Sequence, residues 1–138
     1  MKTKNTFWII TGTLNLFTAL LHLIGGQLDL INPLLQSNLT NQIKVEMLGV
    51  WHMVTIILFA TSYIFLKSGF NKKGEVSTDT IAFISYLYLG FSCAFIFASI
   101  FSATLAPQWI LLLPVGILGI LGLRKFKSNA HPDSVLRS

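Results

Sequence analysis

Three long stretches of this chain lack any charged residue, and their lengths predict how many helices it forms. These stretches are residues 5–28, 47–66 and 80–123. A helix that crosses a bilayer needs about 20 mostly apolar residues, so the first two stretches predict one helix each. The third is long enough for two helices, with a break at Ala106-Pro107. We predict an all-α integral membrane four-helix bundle with helices at about 7–26, 46–66, 80–102 and 107–123.

The segment between the first two predicted helices, residues 27–45, has an apolar pattern of its own. Its apolar residues recur at helical spacing: Leu28, Ile31, Leu34, Leu35 and Leu39. Asn32-Pro33 supplies a cap and a first helical residue. The pattern predicts a short interfacial helix in this first outer loop, lying on the membrane surface with its leucines towards the lipid.

Composition supports a membrane location. Hydrophobic residues make up 53% of the 138 residues and charged residues only 11%, whereas ordinary soluble domains have about 25% charged residues. A soluble core of this size could not bury so much apolar surface. We predict a four-transmembrane-helix domain over residues 1–127 and a disordered cytoplasmic tail over residues 128–138.

The net charge of +5 reflects membrane topology rather than a nucleic-acid partner. If the four helices alternate in direction, one side receives most of the basic residues: Lys2, Lys4, Lys67, Lys72, Lys73, Arg124, Lys125, Lys127 and Arg137. Only Lys44 falls on the other side. Basic residues concentrate in cytoplasmic loops, so we predict a multi-pass protein of the bacterial inner (plasma) membrane with N- and C-termini in the cytoplasm. The lipid bilayer is its expected partner, and no nucleic acid is expected.

Polar residues form stripes along the predicted helices. In lipid such residues face the interior of a bundle. The stripe on helix 1 is Thr11, Asn15, Thr18, His22, Gly25, Gly26 and Asp29. Helix 2 carries Gly49, His52, Thr55 and Ser62, and helix 3 carries Ser85, Tyr88, Ser92, Ser99 and Ser102.

Two histidines of these stripes are expected at the same depth. Helix 1 runs outward and helix 2 runs inward, so His22 and His52 both lie in the outer half of the membrane. Ser99 reaches the same level, and Asp29 and Glu46 stand above it. We predict a ligand or proton site formed by His22, His52, Asp29, Glu46 and Ser99, which Asp29 joins only if helix 1 continues through Gly25-Gly26.

Three interpretations of the histidine pair stay open. Each histidine can simply hydrogen-bond across helices and fix their register. The pair can instead line a small-molecule or proton-accepting pocket. As a third alternative, His22 and His52 can ligate haem or a transition metal, although two histidines do not complete a zinc site and no H-E-x-x-H motif or cysteine pair supplies the rest. A haem or metal cofactor is therefore not favoured. No set of residues resembles a catalytic triad.

Three glycines in the last predicted helix point to close helix packing. Gly116, Gly119 and Gly122 are spaced by three residues, and small residues let helices approach closely in lipid. The spacing differs from the four-residue spacing of the membrane dimerisation motif, which favours packing inside the bundle over packing against a second copy or another membrane protein.

Three short motifs carry a family resemblance: HLIGG at 22–26, NPLL at 32–35 and VWHMVT at 50–55. Their order resembles that in an uncharacterised family of small bacterial four-helix integral membrane proteins, over roughly the first half of the chain. The resemblance implies that helix 1, the loop and helix 2 act as one unit with both histidines inside it. It implies no reaction, cofactor or partner.

These patterns predict a small polytopic binding or accessory module with a histidine-lined pocket in the outer half of the membrane. One alternative is a membrane redox protein or enzyme that uses His22 and His52 as haem or metal ligands. The other is a structural partner subunit without a ligand, whose helix 4 glycines pack against another membrane protein.

Overall fold

The described residues, 4–71 and 77–130, are almost entirely helical in this computed structural model, and none of them lies in a strand. Helix α1 spans Thr6–Leu20 and continues through two π-helical turns, Leu21–Gly25 and Gln27–Ile31, into the short α2 at Asn32–Gln36. Three long helices follow: α3 at Asn41–Phe70, α4 at Thr78–Phe101 and α5 at Trp109–Ala130.

Four helical segments are long and apolar enough to cross a membrane. They are Thr6–Gln36, Asn41–Phe70, Thr78–Phe101 and Trp109–Asn129. The prediction of an all-α chain with four apolar helices is therefore confirmed, and the chain has the character of a multi-pass membrane protein.

The first segment does not end at the glycine pair. The backbone remains helical through Gly26, where φ is −69° and ψ is −28°, and the residues predicted as a separate interfacial helix continue directly from the first span as α2. The second segment begins at Asn41, earlier than predicted. Helix α5 runs to Ala130, so the part of the predicted tail after residue 130 lies outside the described residues, as do Lys72 and Lys73.

Asn5 forms hydrogen bonds to α1, α3 and α5 at the end of the bundle where α1 begins, which we call the amino end. Its side-chain oxygen accepts a hydrogen bond from the Trp8 amide at 3.4 Å, which caps α1. Its side-chain nitrogen donates to the carbonyl of Gly122 on α5 at 2.8 Å, and its backbone amide donates to the carbonyl of Gly69 on α3 at 3.0 Å. The start of α1 is thereby fixed against both neighbours.

Glycines lie at the close contacts between neighbouring helices. A Cβ atom on Gly12 of α1 would meet Leu66 of α3, one on Gly116 of α5 would meet Leu89 of α4, and one on Gly122 would meet Trp8. Since such contacts require bare backbone, α1 packs tightly against α3 and α5, and α5 against α4. Among the described residues, no glycine brings α3 into contact with α4, and these two helices are linked by the hydroxyl groups of Thr61 and Tyr88. The predicted packing glycines, Gly116, Gly119 and Gly122, all face helices of the same chain.

The first pair of spans is longer than the second. Its segments have 31 and 30 residues, against 24 and 21 in the second pair. At 1.5 Å per residue the first pair is about 45 Å long and the second about 32–36 Å long. Buried residues of α3 begin only at Thr55, so the core lies towards the amino end and the other end of the first pair, which we call the loop end, projects beyond it.

Candidate functional site

His22 lies flat against an indole ring of the neighbouring span. It belongs to the first π turn, Leu21–Gly25, and its ring stacks on Trp51 of α3 with 3.7 Å between ring centroids and 15° between planes. Its Nε2 atom is 3.3 Å from the Trp51 carbonyl oxygen. A carbonyl only accepts, so this bond assigns the hydrogen to Nε2 and leaves Nδ1 of the neutral ring as an acceptor.

The absence of a side chain at Gly26 leaves room for this stack. A Cβ atom at that position would overlap the Trp51 ring at Cζ2, whereas one on Gly25 would meet nothing within 4 Å. The indole thus occupies the space that a side chain at residue 26 would take. The buried Nε1 of Trp51 has no hydrogen-bond partner among the described residues.

The two histidines reach the same depth. Asn15 of α1 bonds to the Leu58 carbonyl of α3, and both His22 and Trp51 lie seven residues farther towards the loop end, roughly 10 Å along the helix axis. His52 follows Trp51 and is exposed, and it lies within the range over which two imidazolium charges would repel each other. The ring that touches His22 is nevertheless Trp51, which the sequence pattern assigned to no site.

Asp29 does not join the cluster through a described contact. Seven residues separate it from His22, a spacing that shares one face only on a regular α-helix. In the two π turns the amides of Gly26 and Asn32 bond to carbonyls five residues back, which changes the angular step between residues. Asp29 is exposed, and no hydrogen bond or ion pair among the described residues joins it to His22.

Glu46 and Ser99 form their hydrogen bonds locally. The Glu46 carboxylate accepts a bond from the Gln42 side chain one turn back on α3. The Ser99 hydroxyl donates to the Phe95 carbonyl at 2.7 Å and accepts from the Ala106 amide at 2.9 Å, which holds the turn between α4 and α5. Neither residue bonds to a histidine, and within residues 4–71 and 77–130 no three His, Cys, Asp or Glu side chains group as a metal site would require.

A second polar cluster lies deeper in the bundle. The Asn15 side-chain nitrogen donates to the Leu58 carbonyl at 3.1 Å and to the Thr61 hydroxyl at 2.9 Å, and the Thr61 hydroxyl lies 2.7 Å from that of Tyr88 on α4. This cluster links α1, α3 and α4. The stripes placed Asn15 and Tyr88 on inward faces but gave no pairing between them, and Thr61 was missed.

No family model, curated protein or solved structure matches this chain. The resemblance of its three motifs to small four-helix membrane proteins therefore stays a prediction, and the geometry carries the functional argument.

Proposed function

We propose that this protein is a small binding or accessory module of the bacterial inner membrane, with both termini in the cytoplasm and the loop end of its bundle in the outer half of the membrane. Its ligand site is formed by His22, Trp51 and His52. The observation that carries the proposal is the His22–Trp51 stack, in which one imidazole nitrogen is bonded to a helix carbonyl and the other is left as an oriented acceptor.

The chemistry of this arrangement favours a neutral hydrogen donor as the ligand. A polar side chain in lipid is costly unless it has a partner, and the Trp51 carbonyl to which His22 bonds also accepts from the Thr55 hydroxyl at 3.0 Å. The bond from Nε2 to the Trp51 carbonyl therefore uses only one of the two polar nitrogens of His22. Its acceptor nitrogen suits the hydroxyl or other donor group of a mostly apolar molecule that approaches from the outer half of the bilayer.

Other functions are weaker proposals. Ligation of haem or a metal through Nδ1 of His22 is compatible with the bond between Nε2 and the Trp51 carbonyl, but within residues 4–71 and 77–130 no third His, Cys, Asp or Glu side chain joins the two histidines as a metal site would require. A purely structural histidine pair leaves the acceptor nitrogen and the exposed His52 without a role. A second copy or another membrane protein as partner would use the projecting loop end.

A pair of matched probes tests the proposal. In protein labelled with 15N-histidine in lipid nanodiscs, 4-hexylphenol should shift the Nδ1 resonance of His22, because its hydroxyl donates to that nitrogen. The methyl ether, 4-hexylanisole, has no donor hydrogen and should leave the resonance in place. Equal shifts with both probes, or no shift with either, would count against a donor-binding site.

A variant separates binding from structural support. His22→Phe keeps an aromatic ring against Trp51 and removes both ring nitrogens. Under our proposal, 4-hexylphenol does not shift the 15N resonances of His52 in this variant. The free energy of unfolding should stay within about 1 kcal/mol of the wild-type value, the net contribution of one hydrogen bond. A much larger loss of stability with an unchanged phenol response would instead favour the structural interpretation. Glu46→Gln serves as the control, because the described hydrogen bond of Glu46 is to Gln42 and not to a histidine.

A further inference from the structure

The orientation of the Asn15 side-chain amide is fixed by its partners. Asn15 is fully buried in α1, and one of the two atoms that its side-chain nitrogen contacts is the Leu58 carbonyl oxygen. A carbonyl oxygen cannot donate, so the nitrogen has to face α3. The amide oxygen Oδ1 is then turned away from the Leu58 carbonyl, and no described residue donates a hydrogen bond to it.

The neighbouring hydroxyl groups have already used their hydrogens. Thr61 donates to the Ile57 carbonyl at 2.7 Å, so the hydrogen between Thr61 and Tyr88 has to come from Tyr88. Ser62 and Ser92 likewise donate to carbonyls one turn back, at 2.7 Å and 2.8 Å. The Thr18 hydroxyl, one turn from Asn15, does the same at 2.9 Å.

With these hydrogens assigned, none of the hydroxyl groups named above can donate to the Asn15 amide oxygen. A buried amide oxygen without a donor is costly, and inside a bilayer no bulk solvent supplies one. We infer that Asn15 Oδ1 binds one internal water molecule between α1, α3 and α4. Buried waters bind to groups of this kind and need two to four polar partners.

The surroundings offer the water further partners. The Tyr88 side chain is hydrogen-bonded to Asn15 as well as to Thr61, and its oxygen has two lone pairs, so one of them can accept the second hydrogen of the water. The position also lies beside α3 and α4, the neighbouring helices that no glycine brings into backbone contact. The hydroxyl groups of Thr61 and Tyr88 link that pair, and Thr61 also contacts the Asn15 side chain.

Water contact can be measured directly at the Asn15 side chain. In protein labelled with 15N-asparagine in nanodiscs, the Asn15 NH2 group should show a cross-peak to water in an NOE experiment. A water-soluble paramagnetic chelate should broaden the exposed Asn41 side chain but leave Asn15 sharp, because the water at Asn15 is internal. An Asn15 resonance without a water cross-peak, or one that the chelate broadens, would overturn the inference.

Two variants give independent readouts. Asn15→Leu removes the site, and the water density seen about 3 Å from Oδ1 in a high-resolution structure of the wild type should be absent from it. Where that variant fails to fold, Tyr88→Phe answers the question: it removes the oxygen that accepts the second hydrogen of the water, so the water cross-peak at Asn15 should weaken relative to the wild type. A structure with a protein hydroxyl donating to Oδ1, in place of water, would refute the proposal.

Discussion

Replacement of Gly26 by alanine tests whether the His22–Trp51 stack depends on a bare backbone. An alanine Cβ there overlaps the Trp51 ring, whereas the same change at Gly25 places a methyl group in open space. Both glycines have helical backbone, so both replacements gain the same helix propensity, about 1 kcal/mol at most. A comparison of the two variants therefore cancels that gain and isolates the contact with Trp51.

The magnitude follows from the geometry. The indole has to withdraw by roughly 1–2 Å to reach an ordinary carbon–carbon separation from the new methyl group, and it is also stacked at 3.7 Å on His22. Overpacking of this kind costs about 1–3 kcal/mol, and loss of the ring pair adds about 0.5–1.5 kcal/mol where the stack breaks. We expect Gly26→Ala to be less stable than Gly25→Ala by about 1–3 kcal/mol.

Two measurements check this expectation. Unfolding of both variants by SDS titration from mild detergent micelles gives the free energy difference. The indole 15N–1H resonance of Trp51, assigned with Trp51→Phe, should shift in Gly26→Ala and stay in place in Gly25→Ala. Equal stability together with an unmoved indole resonance in both variants would refute the argument that Gly26 exists to admit Trp51.

Two further changes test the packing at the amino end, each by the same unfolding measurement. Gly119→Ala pushes a methyl group into the Ser85 hydroxyl and should destabilise the protein by about 1–3 kcal/mol. Its control, Gly90→Ala, meets nothing within 4 Å and should be neutral or slightly stabilising. Equal stability of the two variants would contradict close α4–α5 packing. Asn5→Ala removes a helix cap and the bond to Gly122 and should cost about 1–2 kcal/mol, and a cost near zero would show that the cap carries no stability.

The number and type of helices could be predicted because bilayer thickness constrains sequence strongly. Each uncharged stretch has to satisfy its backbone internally, so the length of the stretch is enough to count helices. Their ends were less predictable. Asn41 to Val45 belong to α3 although they are not uniformly apolar, because a helix that starts outside an apolar layer needs no apolar residues there.

The site was only partly predictable, and the reason is local. Matched depth predicted that His22 and His52 lie near each other, since depth depends only on helical rise. The ring partner of His22 was not foreseen, because its contact depends on which residue on α3 faces Gly26. A glycine on one helix at the depth of a tryptophan on the next was the available signal, but the polar stripes did not pair these two residues.

The π turns have a chemical consequence for the proposed site. On a regular α-helix Asp29 would share a face with His22, and a carboxylate there would favour a protonated imidazole or a cationic ligand. The amides that bond five residues back, at Gly26 and Asn32, alter that register, and Asp29 is exposed instead. π turns inside helices often mark functional sites. We propose that here they keep an acidic group away from the imidazole, and this is why we propose a neutral hydrogen donor rather than a cation as the ligand of His22.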